Sequence, residues 1–273
     1  MSPTAAVPLA IEVRGLTKSF PAKVRGAGTG GSVAVPALRG IDLGVPRGRV
    51  FGFLGPNGAG KTTTLRILTT LLPPTSGTAT VAGYDVTTEQ AQVRRHIGYV
   101  GQLGGTDLDH ATGRENLILA ARLYGLPKAD ARARADELLE AFDLAGLARR
   151  ETSTYSGGQR RRLDVALGMV GAPDVLFLDE PTTGLDPQNR VNLWDQVRHL
   201  KAGGTTVFLT THYLDEADAL ADDLAIVDHG VIVARGTPAE LKAQTGSDNL
   251  DDVFLTLTGR ALRDSAATEE VLA

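Results

Sequence analysis

Cysteine is absent from all 273 residues, which excludes disulfide scaffolds, thiolate metal centres and cysteine nucleophiles together. Missing as well is any run near the roughly 18 apolar residues needed to cross a bilayer. The densest stretches, such as Val175-Leu-Phe-Leu178, are far shorter, so a membrane role is expected to be peripheral and to run through a partner. An excess of positive charge is lacking too. With 28 basic against 32 acidic residues the net charge is −4, the wrong sign for broad phosphate-backbone binding, and no nucleic-acid partner is expected. The stretch Met1 to Ala10 is mildly apolar, but prolines interrupt it and no basic leader precedes it, so it does not read as a signal peptide. What remains, 42% hydrophobic and 22% charged residues, is the composition of a folded globular chain.

Short apolar runs bounded by glycine or followed by helical periodicity recur, the pattern of buried parallel strands alternating with helices. Val50-Phe-Gly-Phe-Leu54 runs into a glycine loop and then a helix over 62–68. Val175 to Leu178 ends in Asp179-Glu180, and Thr206 to Thr210 ends in Thr211-His212. Ligands of open parallel sheets bind outside the carboxyl ends of the strands, so these three loops are expected to meet at one site. Between the first two strands lie helical segments over 115–123 and 129–144, with Leu138, Leu139 and Phe142 on one apolar face. The expectation is an α/β fold, a mixed sheet core with an inserted α-helical subdomain. Its segments are a leader at 1–10, a first core part at 11–102, the helical subdomain at 103–155, a second core part at 156–238 and a C-terminal helix and tail at 239–273. The glycine-rich stretch 22–32 reads as a flexible surface loop. Leu250, Val253, Phe254 and Leu257 form a helical stripe that stops at Gly259 and is expected to pack on the core or on a twin chain.

Gly55-Pro56-Asn57-Gly58-Ala59-Gly60-Lys61-Thr62 matches the phosphate-loop pattern after a strand and at the opening of a helix. Glycines there let backbone N–H groups face phosphate oxygens, Lys61 reaches the terminal phosphates and Thr62 can ligate Mg²⁺. Asp179 is expected near the metal, Glu180 as general base for water, and His212 as a polar contact to the terminal phosphate and the attacking water. Taken alone, an acidic loop or a strand-end histidine would mean little; paired with the phosphate loop each means more. Ser156 before Gly157, Gly158 and Gln159 is a natural helix cap and a second anion-binding helix start, too far along the helical lobe to serve its own phosphate loop. The run Arg160 to Arg162 reads by default as a solvated face.

This set resembles the nucleotide-binding subunit of ATP-binding cassette (ABC) transporters, over roughly Ile11 to Pro238 and in that family's motif order. The resemblance implies a P-loop NTPase (RecA-like) fold, ATP and Mg²⁺ as cofactors, and ATP hydrolysis coupled to transport. It implies that Gly55 to Thr63 cradle phosphate, that Ser156 to Gln159 is the signature, and that Gln102 is the loop glutamine sensing Mg²⁺ and coupling to the membrane subunit. It further implies that Asp186, in Thr183-Gly-Leu-Asp186, crosses a dimer interface and that Phe20 stacks on adenine. Glu180, His212 and Lys61 become the catalytic set, and Thr62, Gln102 and Asp179 the metal set. The implied partners are a second copy, head to tail, and a separate multi-span permease, at the cytoplasmic face of the cell membrane. Finer features, among them Thr112-Gly-Arg-Glu-Asn-Leu117 and Leu250-Asp-Asp-Val-Phe-Leu255, resemble the drug-exporter branch similar to daunorubicin-resistance ATPases. The rival within the superfamily is a non-transport switch acting on ribosomes or DNA.

Overall fold

The computed structural model describes residues 8–23, 32–102 and 110–259. Strands β1 (Leu9–Lys23), β2 (Ser32–Pro46), β4 (Ser76–Val81) and β5 (Tyr84–Asp85) form an antiparallel sheet in the order β2-β1-β4-β5. Strands β3 (Val50–Leu54), β6 (Ile97–Val100), β7 (Val175–Asp179), β8 (Thr206–Thr211), β9 (Asp223–Asp228) and β10 (Val231–Gly236) form a second sheet, ordered β10-β9-β3-β8-β7-β6. All its pairings are parallel except β9 with β10, so it is mixed, as expected. Leu9 and Ala10, assigned by sequence to a leader, already belong to β1, where Leu9 pairs with Pro46. Likewise Ala22, Lys23 and Ser32 extend the two strands into the glycine-rich stretch, because the hairpin ladder continues to the pair Lys23 and Ser32. The rest of that stretch, 24–31, lies outside the described residues.

Strand alternation assigns each face of the mixed sheet to its own core. Phe51, Phe53, Phe177 and Phe208 point toward the antiparallel sheet, with Phe208 packed 5.5–5.6 Å from the other three ring centres. That layer also holds helix α1 (Lys61–Leu68) through Leu65, Ile67 and Leu68, and helix α2 (Gln90–His96) through Val93. Val50, Leu176, Leu178, Val207 and Leu209 point the opposite way, against α3 (Gly113–Leu123), α4 (Lys128–Ala141), α5 (Gly157–Gly168) and α6 (Pro187–Ala202). Leu138, Leu139 and Phe142 are buried there, so the apolar face read from sequence is what joins the helical segment to the sheet.

A third cluster gathers α7 (Leu214–Leu220), α8 (Pro238–Thr245) and α9 (Leu250–Thr258). Leu250, Val253 and Phe254 of α9 are buried against the chain's own core, and Gly259 ends the helix at φ 73°. Leu257 departs from the expected stripe and is exposed, because the last turn of α9 runs past the core. Among the described residues no helix is long and apolar enough to cross a membrane.

Candidate functional site

Parallel pairing brings the carboxyl ends of β3, β6, β7 and β8 to one edge of the sheet. The loop after β3 turns into α1 through Gly60, at φ 103°, where a side chain would meet Leu38 and the Ala37 carbonyl within 3 Å. Gly55 is forced more tightly, since a Cβ would lie 2.3 Å from the Val227 carbonyl oxygen. Both positions therefore require glycine for reasons of space, and the loop can wrap an anion at the start of α1. A pocket of about 300 Å³ opens there, lined by Pro56, Asn57, Gly58, Gly60, Lys61, Thr62, Thr63, Gln102 and Glu180, with Ala37 at its rim. Sequence-expected residues from three separate segments thus share one cavity.

Lys61 is buried, and its ammonium donates to the carbonyls of Gly55 at 2.8 Å and Pro56 at 3.1 Å and lies 3.3 Å from Glu180 Oε1. His212 Nδ1 lies 3.2 Å from the other oxygen, Glu180 Oε2. Burial pushes the Glu180 carboxyl up, but His212 and Lys61 outweigh it and hold the pKa below the ordinary glutamate value. Glu180 is therefore held toward its ionised form beside Lys61 and His212, on a backbone at φ 46° that a non-glycine residue adopts only under local strain. Its N–H is fastened to both the carbonyl and the hydroxyl of Thr210, each at 3.1 Å.

Asp179 is buried at the end of β7, and its Oδ1 accepts from Thr210 Oγ1 at 2.5 Å and from Thr62 Oγ1 at 3.4 Å. Thr62 and Asp179 thus present hard oxygen atoms side by side. No cluster of three His, Cys, Asp or Glu groups exists among the described residues, so the pair does not form an all-protein cage. A small, hard cation that takes one or two protein oxygens and completes its shell with phosphate and water fits such a donor set.

Ser156 caps α5 through a reciprocal box, accepting from Gln159 N while its own N–H donates to Gln159 Oε1 at 2.9 Å. Ser156 and Gly157 are exposed and do not line the phosphate-loop pocket. Gly158 is buried against Asn189, whose side chain donates to Asp186 Oδ2 at 2.6 Å, and Asp186 in turn caps α6. Phe20 stands exposed on β1 beside Val35, with Lys18 Nζ 5.3 Å from its ring centre. It is therefore not a core residue, and an aromatic face is open there.

The arginine run is the clearest departure from the sequence reading. Arg161 is only 8% exposed, and its guanidinium donates to the carbonyls of Pro181 and Gly101, both at 2.7 Å, and of Asp179 at 3.3 Å. Arg160 reaches the Thr152 carbonyl and Arg162 the Asp143 carboxylate. The run lies along the helix that packs on the sheet, so its members turn inward or onto neighbouring loops instead of forming a solvated face. Arg161 and Thr210 are thus site residues that sequence reading missed. The signal for Arg161 was its helical spacing with the inward-facing Gly158, Val165 and Gly168; for Thr210 there was none beyond its place at a strand end.

Comparison with known proteins agrees with this geometry. Residues 38–183 match the family model described as ABC transporter. The chain is 57% identical over 218 residues to the daunorubicin resistance ATP-binding protein DrrA3 of Streptomyces coeruleorubidus, covering 80% of this chain and 69% of that protein. It is 48% identical over 256 residues to the doxorubicin resistance ATP-binding protein DrrA of Mycobacterium tuberculosis, covering 94% of this chain and 72% of that one. A solved ATP-binding subunit of an ABC transporter superposes with a TM-score of 0.76 at 28% identity, over 92% of this chain and all of that one. A family model matched over residues 38–183, identity across most of the length and shared architecture place the chain in the ABC transporter family, as its ATPase component.

Proposed function

We propose that this chain powers export of a hydrophobic drug, antibiotic or lipid-like compound through a separate multi-span membrane subunit, working at the cytoplasmic face of the membrane as a head-to-tail dimer. The observation that carries the hydrolytic part is the Glu180 carboxyl, which lines the phosphate-loop pocket 3.3 Å from Lys61 and 3.2 Å from His212. Support for drug export comes from relatives named for daunorubicin and doxorubicin resistance.

In this reading Gly55, Pro56, Asn57, Gly58, Ala59, Gly60 and Thr63 surround the phosphates and Phe20 stacks on adenine. Lys61 leaves its carbonyl acceptors for the terminal phosphate, where its charge offsets the charge that builds up during transfer. Glu180 accepts a proton from the attacking water, and His212 holds the far side of that water and phosphate. Thr62 and Asp179, with Gln102 beside them, would hold Mg²⁺, which when bound supplies charge neutralisation for the β- and γ-phosphates. The start of α5, Ser156 to Gln159, exposed at Ser156 and Gly157, serves the nucleotide of the second copy, and Asp186 lies at the dimer seam. Gln102 also lines a second cleft of about 420 Å³ with Tyr99, Ala120 and Tyr124, between the core and the helical subdomain, where the membrane subunit would dock.

Glu180→Gln tests the hydrolytic assignment. It should bind ATP normally and turn over at least ~100-fold more slowly, the usual size of a general-base effect; near-normal turnover would reject Glu180 as base. Affinity capture of the tagged chain from gently solubilised membranes tests the transport assignment. One multi-span protein in near-equal amount supports it, whereas ribosomal or DNA-repair partners alone would move the assignment to the switch reading.

A further inference from the structure

Helix α6 touches the His212 loop through Arg190 and helix α7 through Trp194 one turn on, neither of which the hydrolytic reading uses. Arg190 N donates to the Asp186 carbonyl at 3.0 Å, so its place follows directly from the capped start of the helix. Its guanidinium carbon lies 4.8 Å from the centre of the Tyr213 ring, and Nη1 donates to Asp215 Oδ2 at 2.9 Å. The Tyr213 ring in turn lies 4.1 Å from the His212 imidazole, centre to centre, at an interplanar angle of 40°. One turn further along α6, Trp194 Nε1 donates to Glu216 Oε1 at 3.4 Å.

The order in space is guanidinium, phenol ring, imidazole, carboxylate. Cation and ring attract through the ring quadrupole, and Asp215 fixes the cation from the other side, so the ring has a preferred position. His212 is 29% exposed, its Nδ1 lies 3.2 Å from Glu180 Oε2 without a formed hydrogen bond, and the Tyr213 ring packs on its imidazole.

We propose that Arg190 and Tyr213 are positioning residues for ATP hydrolysis: Arg190 clamps the Tyr213 ring, and the ring holds the His212 imidazole against Glu180. The orientation of His212 then follows the helix that begins at Asp186. This deepens the hydrolytic reading and rests on its assignment of Glu180 and His212.

Single-turnover hydrolysis and ATP affinity of the purified full chain test the clamp. Tyr213→Leu, which keeps an apolar side chain but removes the ring, should slow hydrolysis about tenfold with ATP affinity changed less than about twofold. Tyr213→Phe should stay within about twofold of wild type, and Arg190→Met should slow hydrolysis about fivefold. In a His212→Ala background Tyr213→Leu should cost nothing further, because the clamp acts only through that imidazole. An unimpaired Tyr213→Leu, or the same tenfold loss with and without His212, would overturn the clamp. Should Tyr213→Leu not fold, Arg190→Met in the two backgrounds carries the same comparison. Glu180→Gln measured alongside separates the claims: normal turnover there overturns the hydrolytic assignment, while loss there with an unimpaired Tyr213→Leu overturns the clamp alone.

Discussion

Arg161→Met removes the strut beneath the site while keeping most of the side-chain stem. The guanidinium joins the segment after β6, through Gly101, to the end of β7, through Asp179, and the segment after it, through Pro181. Those carbonyls flank Gln102 on one side and Glu180 on the other. Burial draws the Arg161 pKa down, and nearby Asp164, Glu216 and Asp179 oppose that shift, so the cation is compensated by carboxylates that would lose it. Two charge-assisted bonds at 2.7 Å, at about 1.5 kcal/mol each, set the loss near 3 kcal/mol. The 3.3 Å bond to Asp179 and the uncompensated charge of buried Asp164 add to it, while release from guanidinium desolvation subtracts. At about 2–4 °C per kcal/mol for a chain of this size, the melting temperature should fall by about 6–12 °C. Calorimetry of wild type, Arg161→Met and Arg161→Lys reads this directly. Lysine, a point charge without the planar fork, should recover less than half of the loss. A melting point within about 2 °C of wild type for the methionine variant would refute the strut, since it would mean the three carbonyls do not need their donor.

The glycines of the α5 start should respond unequally. A Cβ on Gly158 would lie 2.2 Å from the Asn189 side chain and displace the amide that bonds Asp186, so Gly158→Ala should lose about 1–3 kcal/mol in urea unfolding. Gly157→Ala meets nothing within 4 Å and should unfold like wild type; equal losses would refute the argument from space. Burial raises the Glu216 carboxyl above its ordinary value of 4.5, against the lowering influence of the nearby polar groups of Thr211, Thr182 and Trp194. The folded chain then holds that proton more tightly than the unfolded chain. The resulting stability is complete below the unfolded pKa and is lost as pH rises through the folded one. Glu216→Gln carries no such proton, so its unfolding free energy should decline less than that of wild type from about pH 5 to about pH 8; parallel profiles would refute this.

Strands at the centre of the fold were legible because their apolar runs are short, dense and closed by glycine or acid, as in Val50–Leu54 and Val175–Asp179. The antiparallel sheet was not. Strand β2 is its edge, exposed over much of its length and carrying Pro36, which reads as a breaker but is tolerated where a missing donor faces away from the ladder. Its partner β1 pairs with it through four register shifts, so no clean alternation of apolar and polar residues survives to be read.

For the site, legibility divides along the range of the interaction that sets each residue. A phosphate loop is a local object: which N–H groups point inward depends on a few successive backbone angles and on glycines that the sequence displays. Thr210 is the opposite case. Its single hydroxyl accepts from Glu180 N and donates to Asp179 Oδ1, orienting two adjacent carboxylates from the neighbouring strand. No spacing within β8 announces that task, because the relevant neighbour is set by the pairing of β7 with β8, where Asp179 stands opposite Thr210. Arg161 and Tyr213 likewise act across elements, one on carbonyls of two strand ends and the other between a helix and a histidine. Groups that would touch nucleotide are therefore declared by short motifs, while groups that aim them belong to the sheet order. Chemical rate depends on both, since a carboxylate displaced by one ångström is present in the sequence and absent from the reaction.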